Sequence, residues 1–394
     1  MPSRINQSLH LGWGNSIEND SEEQTVLSGT IPLMNIGLIG CGNASRLYLE
    51  GCKLFNNLHF VACADLDQTK AQSRAKDFNI PTVCSVRELL DDQQVDTVLN
   101  LTAPQAHAEI GIAVLESGKH LYQEKPLAIQ LEDARLMLEI ATGKGLRLGC
   151  APDTFLGGGL QTCRELIDEG RIGEIVGCSA FMMCHGHEDW HPTPEFFYRA
   201  GGGPMFDMGP YYLTALIMLL GPIRSVSAMT KMSSSQRVIT EPTRFGQTID
   251  VEVPTHVAGI IDFVNGTIAS IVTSFDVWAT ELPSIEIYGT EGTLSVPDPN
   301  TYRGPIRLFS KGCSDWIEVP IKRNFTQQSR GLGLAEMDYA ISRGCAHRAN
   351  GEMAYHVLEA LHLIHAASFE GRHFQLSSTC GRPSALPPKF PLEY

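Results

Sequence analysis

The amino-acid sequence predicts an α/β protein with two domains, an N-terminal doubly wound parallel sheet and a C-terminal α+β domain with a large, mostly antiparallel sheet. In residues 33–151, short apolar runs alternate with helical patterns, which is typical of a parallel sheet covered by helices. The run Val95–Leu101 is apolar almost throughout, as a strand buried on both faces requires. In residues 152–394, β-rich segments are separated by turn residues, which favours antiparallel pairing. The 394 residues are enough for two hydrophobic cores.

The first domain is predicted to contain strands and helices in strict alternation. In chain order these are a strand from Leu33, a helix ending near Phe55, a strand over 58–65, a helix over 68–78, a strand at 82–84, a helix over 86–91, a strand over 95–101, a helix over 107–117 and a strand over 120–123. The second domain is predicted to begin with a helix over 160–169 and to continue mainly as strands. These strands cover 174–181, 225–231, 256–263, 267–275, 284–288 and 293–296, with further helices over 210–220, 333–343 and 351–369. Hairpin turns are expected at Asn265-Gly266 and Glu291-Gly292.

Composition excludes several classes of partner. The net charge of −14 argues against nucleic acid or an anionic membrane surface. The apolar run Tyr211–Leu220 is too short to cross a bilayer, and the N-terminus lacks the apolar segment of a signal peptide. The 11 cysteines form no CxxC pair, so we expect reduced thiols and a cytoplasmic location. Residues 1–32 are polar and without periodicity, and we expect a flexible arm.

A glycine-rich loop follows the first predicted strand. Gly40 permits a tight turn, and Gly42 lets the main chain approach a phosphate closely. Asn43 and Ala44 then begin a helix, whose free N–H groups suit the pyrophosphate of a dinucleotide. The third position of the motif is Ser45, where Gly or Ala is usual. The alternative is a glycine turn in an unrelated α/β unit.

Asp65 closes the second predicted strand, 25 residues after Gly40. This spacing is close to that of the carboxylate that binds the adenosine ribose hydroxyls in dinucleotide-binding folds. A carboxylate there repels a 2′-phosphate, so the sequence favours NAD over NADP. The alternative is an aspartate that merely ends a strand.

Two further places carry side chains suited to chemistry. Lys125 lies in Gln123-Glu124-Lys125-Pro126, at the carboxyl end of a strand, where ligands of such sheets bind. Asp207 and Tyr211 are four residues apart near the start of an apolar helix, which puts both on one helical face. The alternatives are a solvated surface lysine and a structural tyrosine beside a glycine loop.

A third place is the segment His185-Gly186-His187-Glu188-Asp189-Trp190-His191. Its histidine spacing is compatible with a metal site, although no cysteine or second acidic cluster completes a coordination sphere. We predict no metal, and we interpret the segment as a polar, aromatic loop that recognises a hydroxylated substrate. Surface histidines without a function remain an alternative.

Taken in order, these motifs resemble those of the glucose–fructose oxidoreductase, inositol dehydrogenase and rhizopine-catabolism family. The resemblance rests on the glycine loop, Thr102-Ala103-Pro104 followed by His107, Glu124-Lys125-Pro126, the Asp207–Tyr211 pair and Gly289-Thr290-Glu291-Gly292. It implies NAD(P)-dependent oxidation or reduction at a carbinol carbon of a sugar, cyclitol or polyol. It also implies a Rossmann domain beside an open-faced sheet through which two or four subunits associate.

The resemblance also assigns roles to residues. Gly40, Gly42, Asn43, Ala44, Asp65, Thr102, Pro104, His107, Glu124 and Lys125 fall on or beside cofactor-binding positions, and Lys125 and Asp207 fall on catalytic positions. Tyr211 stands where many members have a histidine, so the chain resembles the members that use tyrosine.

The expected reaction is hydride transfer with Tyr211 as the acid–base group. An ordinary phenol titrates near ~10, and we expect the ammonium of Lys125 to lower that pKa. Asp207 would orient the substrate and keep Lys125 charged, while His187 and Trp190 would line the sugar pocket. Two alternatives remain open, an NAD-dependent glycosidase that oxidises its sugar transiently and a cofactor-binding sensor without activity.

Overall fold

A six-stranded parallel sheet forms the N-terminal part of the protein in the computed structural model, which describes residues 33–392. The strand order is β3-β2-β1-β4-β5-β6, and every neighbouring pair is parallel. The strands are β1 (Met34–Ile39), β2 (Leu58–Ala64), β3 (Thr82–Val83), β4 (Thr97–Asn100), β5 (His120–Gln123) and β6 (Leu148–Cys150). The order reverses between β1 and β4, and ligands of open α/β sheets bind at the carboxyl ends of the strands at such a point.

Five helices connect these strands: α1 (Asn43–Cys52), α2 (Gln68–Phe78), α3 (Val86–Asp91), α4 (Pro104–Glu116) and α5 (Leu131–Lys144). Local sequence explains their ends. Ser85 and Glu88 form a capping box at the start of α3, so the first N–H groups of that helix have acceptors. Asn79 ends α2 in the left-handed conformation, which asparagine tolerates better than most residues. The doubly wound parallel sheet predicted from the sequence is confirmed.

A nine-stranded sheet dominates the second half of the chain, with the order β16-β15-β14-β13-β7-β12-β11-β8-β17. Its strands are β7 (Ile175–Met183), β8 (Ile223–Lys231), β11 (His256–Phe263), β12 (Ile268–Ser274), β13 (Ile285–Gly289), β14 (Gly292–Val296), β15 (Arg307–Ser310), β16 (Ile317–Glu318) and β17 (Phe374–Gln375), while β9 (Gln236–Val238) and β10 (Thr248–Asp250) form a separate hairpin. All neighbours in the large sheet are antiparallel except β7 and β12.

Among the described residues, helices cover one face of this sheet. The helices of this half are α6 (Gly158–Asp168), α7 (Gly203–Leu220), α8 (Leu332–Ser342) and α9 (Gly351–Glu370). Of these, α6, α7 and α9 contact strands of the sheet, whereas α8 contacts α1 and β6. Along β11, Val257 and Ile261 point into this core, while Ile260 faces away and is 48% exposed. Met229 lies on the same outer face and is 73% exposed. The predicted open-faced sheet is therefore confirmed.

The two sheets belong to one compact unit. The chain returns from the second sheet to the first, because α9 contacts α5 and β6 and the Cys150 N–H donates to the Ala349 carbonyl at 3.0 Å. The expected N-terminal arm, residues 1–32, lies outside the described residues. Within residues 33–392, no helix is long and apolar enough to cross a bilayer.

Two helices begin several residues earlier than the sequence predicts, and a helix and a strand of the N-terminal part were not predicted. Helix α7 begins at Gly203, seven residues before the predicted start, because Pro204 occupies its first turn, where a missing N–H costs nothing. Helix α4 begins at Pro104 for the same reason. The sequence analysis assigned no element to α5 or β6, although Glu132 in the first turn and Gly145 at the end are ordinary helix signals.

Candidate active site

The glycine loop lies at the carboxyl end of β1, where the strand order reverses. Gly40 has φ of 94°, and a Cβ there would come within 2.7 Å of the main chain of Leu101 and Thr102. The fold itself therefore requires glycine at this position. Gly42 is different, because its φ is −71° and a Cβ there would meet no protein atom within 4 Å.

The space next to Gly42 fits a bound dinucleotide. Gly42 precedes α1, and no side chain caps the helix, which begins with Asn43 and Ala44. The Ser45 N–H donates to the Gly42 carbonyl at 3.2 Å, and the N–H groups of Asn43 and Ala44 are left for another acceptor, as in pyrophosphate-binding loops. Since nothing in the protein fills the space that a Cβ at Gly42 would take, these residues can hold the cofactor that the sequence predicts.

Ser45, at the third position of the motif, adds side-chain hydrogen bonds to the loop that Gly or Ala could not make. Its side chain is fully buried, and its hydroxyl donates to the Gly42 carbonyl at 2.6 Å and accepts from Arg74 Nε at 2.8 Å. Arg74 Nη2 also donates to the Gly42 carbonyl at 3.1 Å. The hydroxyl at the third position of the motif therefore fixes the loop and engages Arg74 Nε.

Asp65 lies just beyond β2 and faces the same loop. Its Oδ2 accepts from the Cys41 N–H at 2.7 Å, and its Oδ1 accepts from the Asp67 N–H at 2.8 Å. Each carboxylate oxygen keeps a lone pair for a further donor. The position suits the ribose role that the sequence predicts, with the carboxylate oriented by main-chain donors.

The turn after β4 forms the opposite wall. The Thr102 hydroxyl donates to Asn100 Oδ1 at 2.8 Å, and Pro104 is the first residue of α4. His107 is fully buried, with Nδ1 at 2.7 Å from the Pro126 carbonyl and Nε2 at 3.0 Å from the Thr102 carbonyl. Burial lowers the pKa of its imidazole. Both ring nitrogens of His107 lie within hydrogen-bond distance of main-chain carbonyls, so the ring holds this turn, and its predicted contact with the cofactor stays a prediction.

Lys125 and Asp207 form a buried ion pair across the two parts of the chain. Lys125 Nζ lies 2.9 Å from Asp207 Oδ1 and donates to the Asp207 carbonyl oxygen at 2.5 Å. Burial acts to lower the pKa of the Lys125 ammonium, but Asp207 and Tyr211 raise it well above its ordinary value. Burial acts to raise the pKa of Asp207, but Lys125 and His187 lower it to about 2. Both groups are therefore charged at neutral pH.

Tyr211 lies one turn after Asp207 on α7 and is buried, with Lys125 Nζ 5.2 Å from the centre of its ring. Burial raises the pKa of the phenol, and Lys125 and Arg330 lower it without reversing the shift. The expectation that Lys125 leaves Tyr211 with a lowered pKa is thus wrong in its net direction. The phenol keeps its proton at neutral pH.

Glu124 is held beside this cluster by two donors. Its Oε1 accepts from the Tyr48 hydroxyl at 2.8 Å, and its Oε2 accepts from the Lys125 N–H at 2.9 Å. The predicted cofactor contact of Glu124 would thus be made by an oriented carboxylate. Tyr48 belongs to α1, so this contact also ties the glycine-loop helix to the segment that carries Lys125.

The histidine segment delivers one residue to the cluster. His187 Nε2 lies 3.5 Å from Asp207 Oδ2, and its ring packs 4.0 Å from Phe197 and 4.8 Å from Phe275. Trp190 stands edge-on to this histidine at 5.4 Å and is 60% exposed. His187 and Trp190, predicted to line a sugar pocket, therefore lie next to each other, and His187 is the one that reaches Asp207.

The other two histidines point elsewhere. The ring of His185 stacks on Trp278 at 3.3 Å, and His191 Nδ1 accepts from the Thr193 N–H at 3.1 Å. In the described part of the chain, no three His, Cys, Asp or Glu side chains are grouped so that they could hold a metal ion. The metal interpretation of the spacing thus has no geometric support there.

Sequence analysis missed Arg330 and Asn300. Arg330 Nη2 lies 3.5 Å from the Tyr211 hydroxyl and 3.1 Å from Asn300 Oδ1. Both residues come from irregular segments, where no periodicity or motif marks them. The only local signal is Gly331, which has φ of 101° and precedes α8.

Two family models match this chain. Residues 34–151 match the family model described as an oxidoreductase family with an NAD-binding Rossmann fold, and residues 160–295 match the GFO/IDH/MocA C-terminal domain. A 1,5-anhydro-D-fructose reductase from Ensifer adhaerens is 30% identical over 265 residues, which is 66% of this chain and 74% of the relative. Inositol 2-dehydrogenase 3 from Saccharopolyspora erythraea is 26% identical over 280 residues, covering 68% of this chain and 74% of the relative.

Solved structures share the architecture. A levoglucosan dehydrogenase in complex with NADH and levoglucosan superposes with a TM-score of 0.76 over 88% of this chain and 100% of its own. The identity is 20%, so this likeness concerns the fold alone.

Proposed function

The chain belongs to the GFO/IDH/MocA family of NAD-binding oxidoreductases, and from this premise we propose that it transfers a hydride between a nicotinamide and a carbinol carbon of a sugar, cyclitol or related polyol. One observation carries the proposal. Lys125, Asp207 and Tyr211 meet at the carboxyl end of the parallel sheet, on the edge that also holds the glycine loop. The names of the relatives, which include a sugar reductase and an inositol dehydrogenase, support this class of substrate.

In this proposal the glycine loop and the first turn of α1 hold the pyrophosphate of the cofactor. Asp65 accepts the ribose hydroxyls, and its negative charge disfavours the 2′-phosphate of NADP. We therefore propose NAD as the cofactor. When bound, the nicotinamide supplies the site that accepts or gives the hydride.

The protein's own groups manage the proton at the substrate oxygen. Tyr211 is protonated at neutral pH and donates to the oxygen of a carbonyl substrate, whereas in the oxidation direction its phenolate form takes the hydroxyl proton. Lys125 stays charged because Asp207 is its partner, so it serves as a fixed positive group beside that oxygen rather than as the titrating base. Asp207 stays ionised and keeps this ammonium in place.

The wall of the substrate site is proposed to be His187 and Trp190. Trp190 offers a partly exposed aromatic face, which suits the C–H surface of a sugar ring, and His187 offers a ring nitrogen next to Asp207.

The open face of the nine-stranded sheet is proposed to associate with a second subunit. Its exposed apolar side chains include Met229, Ile260 and Ile268, and such patches on a soluble protein mark interaction sites. A homodimer through this face, or a tetramer built from such dimers, would bury them.

The test is a screen of the purified protein with NAD and NADP against sugars, inositols and anhydrosugars. We expect the absorbance of reduced nicotinamide to appear with at least one substrate, faster with NAD than with NADP. Glycoside cleavage without net reduction would instead indicate a transient-oxidation glycosidase. Cofactor binding without turnover of any compound would indicate a sensor.

A further inference from the structure

Arg330 is a largely buried cation whose main chain is held from two sides. Gly51 of α1 has no side chain, and a Cβ at that position would overlap the Arg330 carbonyl oxygen. On the other side, Asp153 Oδ2 accepts from the Gly331 N–H at 2.9 Å and from the Gly333 N–H at 3.0 Å. These contacts fix the main chain of Arg330, and from there its Nη2 reaches 3.5 Å from the Tyr211 hydroxyl.

The guanidinium has more donors than the protein has acceptors for it. Its hydrogen bonds go to the Tyr211 hydroxyl, to Asn300 Oδ1 and to Gln328 Oε1, the last at 3.2 Å. An arginine carries five side-chain N–H donors, so two remain for a ligand. Among the described residues, no carboxylate oxygen lies within 4.0 Å of this cation to form an ion pair.

Two carboxylates act on Arg330 from farther away, but their oxygens already have donors. Asp153 Oδ1 accepts from the Tyr302 hydroxyl at 2.6 Å, and its Oδ2 holds the main chain after Arg330. Glu124 accepts from the Tyr48 hydroxyl and from the Lys125 N–H. A mostly buried cation without a direct counter-ion is unfavourable, and an incoming anion would relieve this.

A cavity of about 260 Å³ opens on this side of Arg330. Its wall carries a second cation, Arg303, and the polar side chains of Asn300, Thr326 and Gln328. No aspartate or glutamate of the described chain lines it. In a chain with a net charge of −14, a cavity with two arginines and no carboxylate is a local exception.

We propose that this cavity binds an anionic group of the substrate, a carboxylate or a phosphate, through Arg330 and Arg303. Arginine presents its N–H groups in a planar fork that matches the oxygens of both anions. Since Arg330 also touches the Tyr211 hydroxyl, the anionic group and the reacting hydroxyl belong to one small molecule. The substrate is then an acidic or phosphorylated sugar or polyol, an inference that rests on the proposed role of Tyr211.

The test measures equilibrium binding to the full chain loaded with NADH, using two pairs of probes that differ mainly in charge. One pair is D-gluconate and D-glucitol, and the other is D-glucose 6-phosphate and D-glucose. We expect the charged member of at least one pair to bind about tenfold more tightly or better, as charge-assisted hydrogen bonds allow. The first pair reports a carboxylate preference and the second a phosphate preference.

Three variants test whether the preference for the charged probe arises in the cavity. Arg330→Gln is expected to abolish it while changing the affinity of the neutral probe about twofold or less. Arg303→Gln, at an exposed residue of the cavity wall, is expected to reduce it about threefold or more. Arg307→Gln is the matched control, because Arg307 belongs to β15, lies over the ring of Trp316 and is outside the cavity. The preference for the charged probe should persist in this variant.

Either of two results overturns the inference: no charged probe binds more tightly than its neutral partner, or the preference survives Arg330→Gln. If that variant does not fold, an unchanged preference in Arg303→Gln is the overturning result. The proposed function fails separately. A charge preference without turnover would contradict the proposed reaction and support the anion site. Turnover of neutral polyols without a charge preference would support the reaction and contradict the anion site.

Discussion

At the residue scale, the hydroxyl of Tyr211 is the group on which the proposed chemistry depends. We expect Tyr211→Phe to lower kcat by about 10²–10⁴, because positioned acid–base groups contribute that much. Binding of NADH should be unchanged, since no described cofactor-loop residue contacts this hydroxyl. Steady-state kinetics and NADH titration measure the two effects.

Tyr212→Phe is the matched control for that variant. The next tyrosine on α7 is also buried, but its hydroxyl donates to the Phe181 carbonyl at 3.2 Å, away from Lys125. Its loss should affect stability by about 1 kcal/mol and leave kcat within about threefold. Equal losses of kcat in the two variants would remove Tyr211 from the mechanism.

The raised pKa of Tyr211 predicts opposite pH profiles for the two directions of the reaction. Reduction uses the phenol, so its kcat should stay level from about pH 6 to 10 and fall only above this range. Oxidation uses the phenolate, so its kcat should rise across the same range. Asp207, with a pKa of about 2, and Lys125 do not titrate there. A change of kcat with pH near neutrality that persists in Tyr211→Phe would contradict the assignment of Tyr211 as the acid–base group.

At the residue scale, motifs in the sequence indicated where some side chains lie, whereas positions set by packing carried no such signal. The places of Lys125 and Asp207 could be predicted because a strand end and a helical spacing locate them, while their roles stay predictions. Arg330 could not be predicted, because its place depends on Gly51 and Asp153, residues far away in sequence. The sign of the Tyr211 pKa shift was missed for a related reason, since it depends on how deeply the folded chain buries the ring.

At the element scale, the two glycines of the loop separate folding from binding. We expect Gly40→Ala to destabilise the fold by about 1–3 kcal/mol, because of its positive φ and its close approach to Leu101. Gly42→Ala should change stability by less than about 0.5 kcal/mol and raise the Kd for NADH about tenfold or more, since its Cβ enters the space left for the cofactor. Denaturant unfolding and NADH titration measure both.

A weak Gly42→Ala effect on NADH would contradict the proposed position of the pyrophosphate. Comparing Gly40→Ala with Gly42→Ala is informative because each variant adds one methyl group, at positions two residues apart. Only the backbone conformation and the neighbours of the two positions differ.

Elements with a clear hydrophobic pattern were predicted well, whereas elements too short to show such a pattern were not. The bounds of β5 and β11 agree with the sequence, since each is a short apolar segment with a clear turn beside it. Strands β16 and β17 have two residues each and exist through pairing with their neighbours, so the local sequence holds almost no signal for them. The parallel pairing of β7 with β12 is likewise a property of the assembled sheet.

At the scale of the whole molecule, the open sheet face predicts self-association. We expect Ile260→Glu to weaken subunit association about 100-fold or more, because it places a charge in the centre of the exposed apolar face. Leu136→Glu is the matched control, since Leu136 is an exposed apolar residue of α5 on the first sheet's helical layer. Sedimentation velocity measures both, and an unchanged assembly in Ile260→Glu would exclude this face.

The close contact of Gly51 with the Arg330 carbonyl has a consequence for how the two proposed ligands affect each other. The helix proposed to receive the cofactor and the arginine proposed to receive the substrate's anion meet with no side chain between them, so we expect a displacement of one to move the other. Thermodynamic reciprocity then requires that the factor by which cofactor changes the affinity for an anionic sugar equals the factor by which that sugar changes the affinity for cofactor. We therefore expect titration of either ligand, with and without the other, to give affinities that change by one common factor.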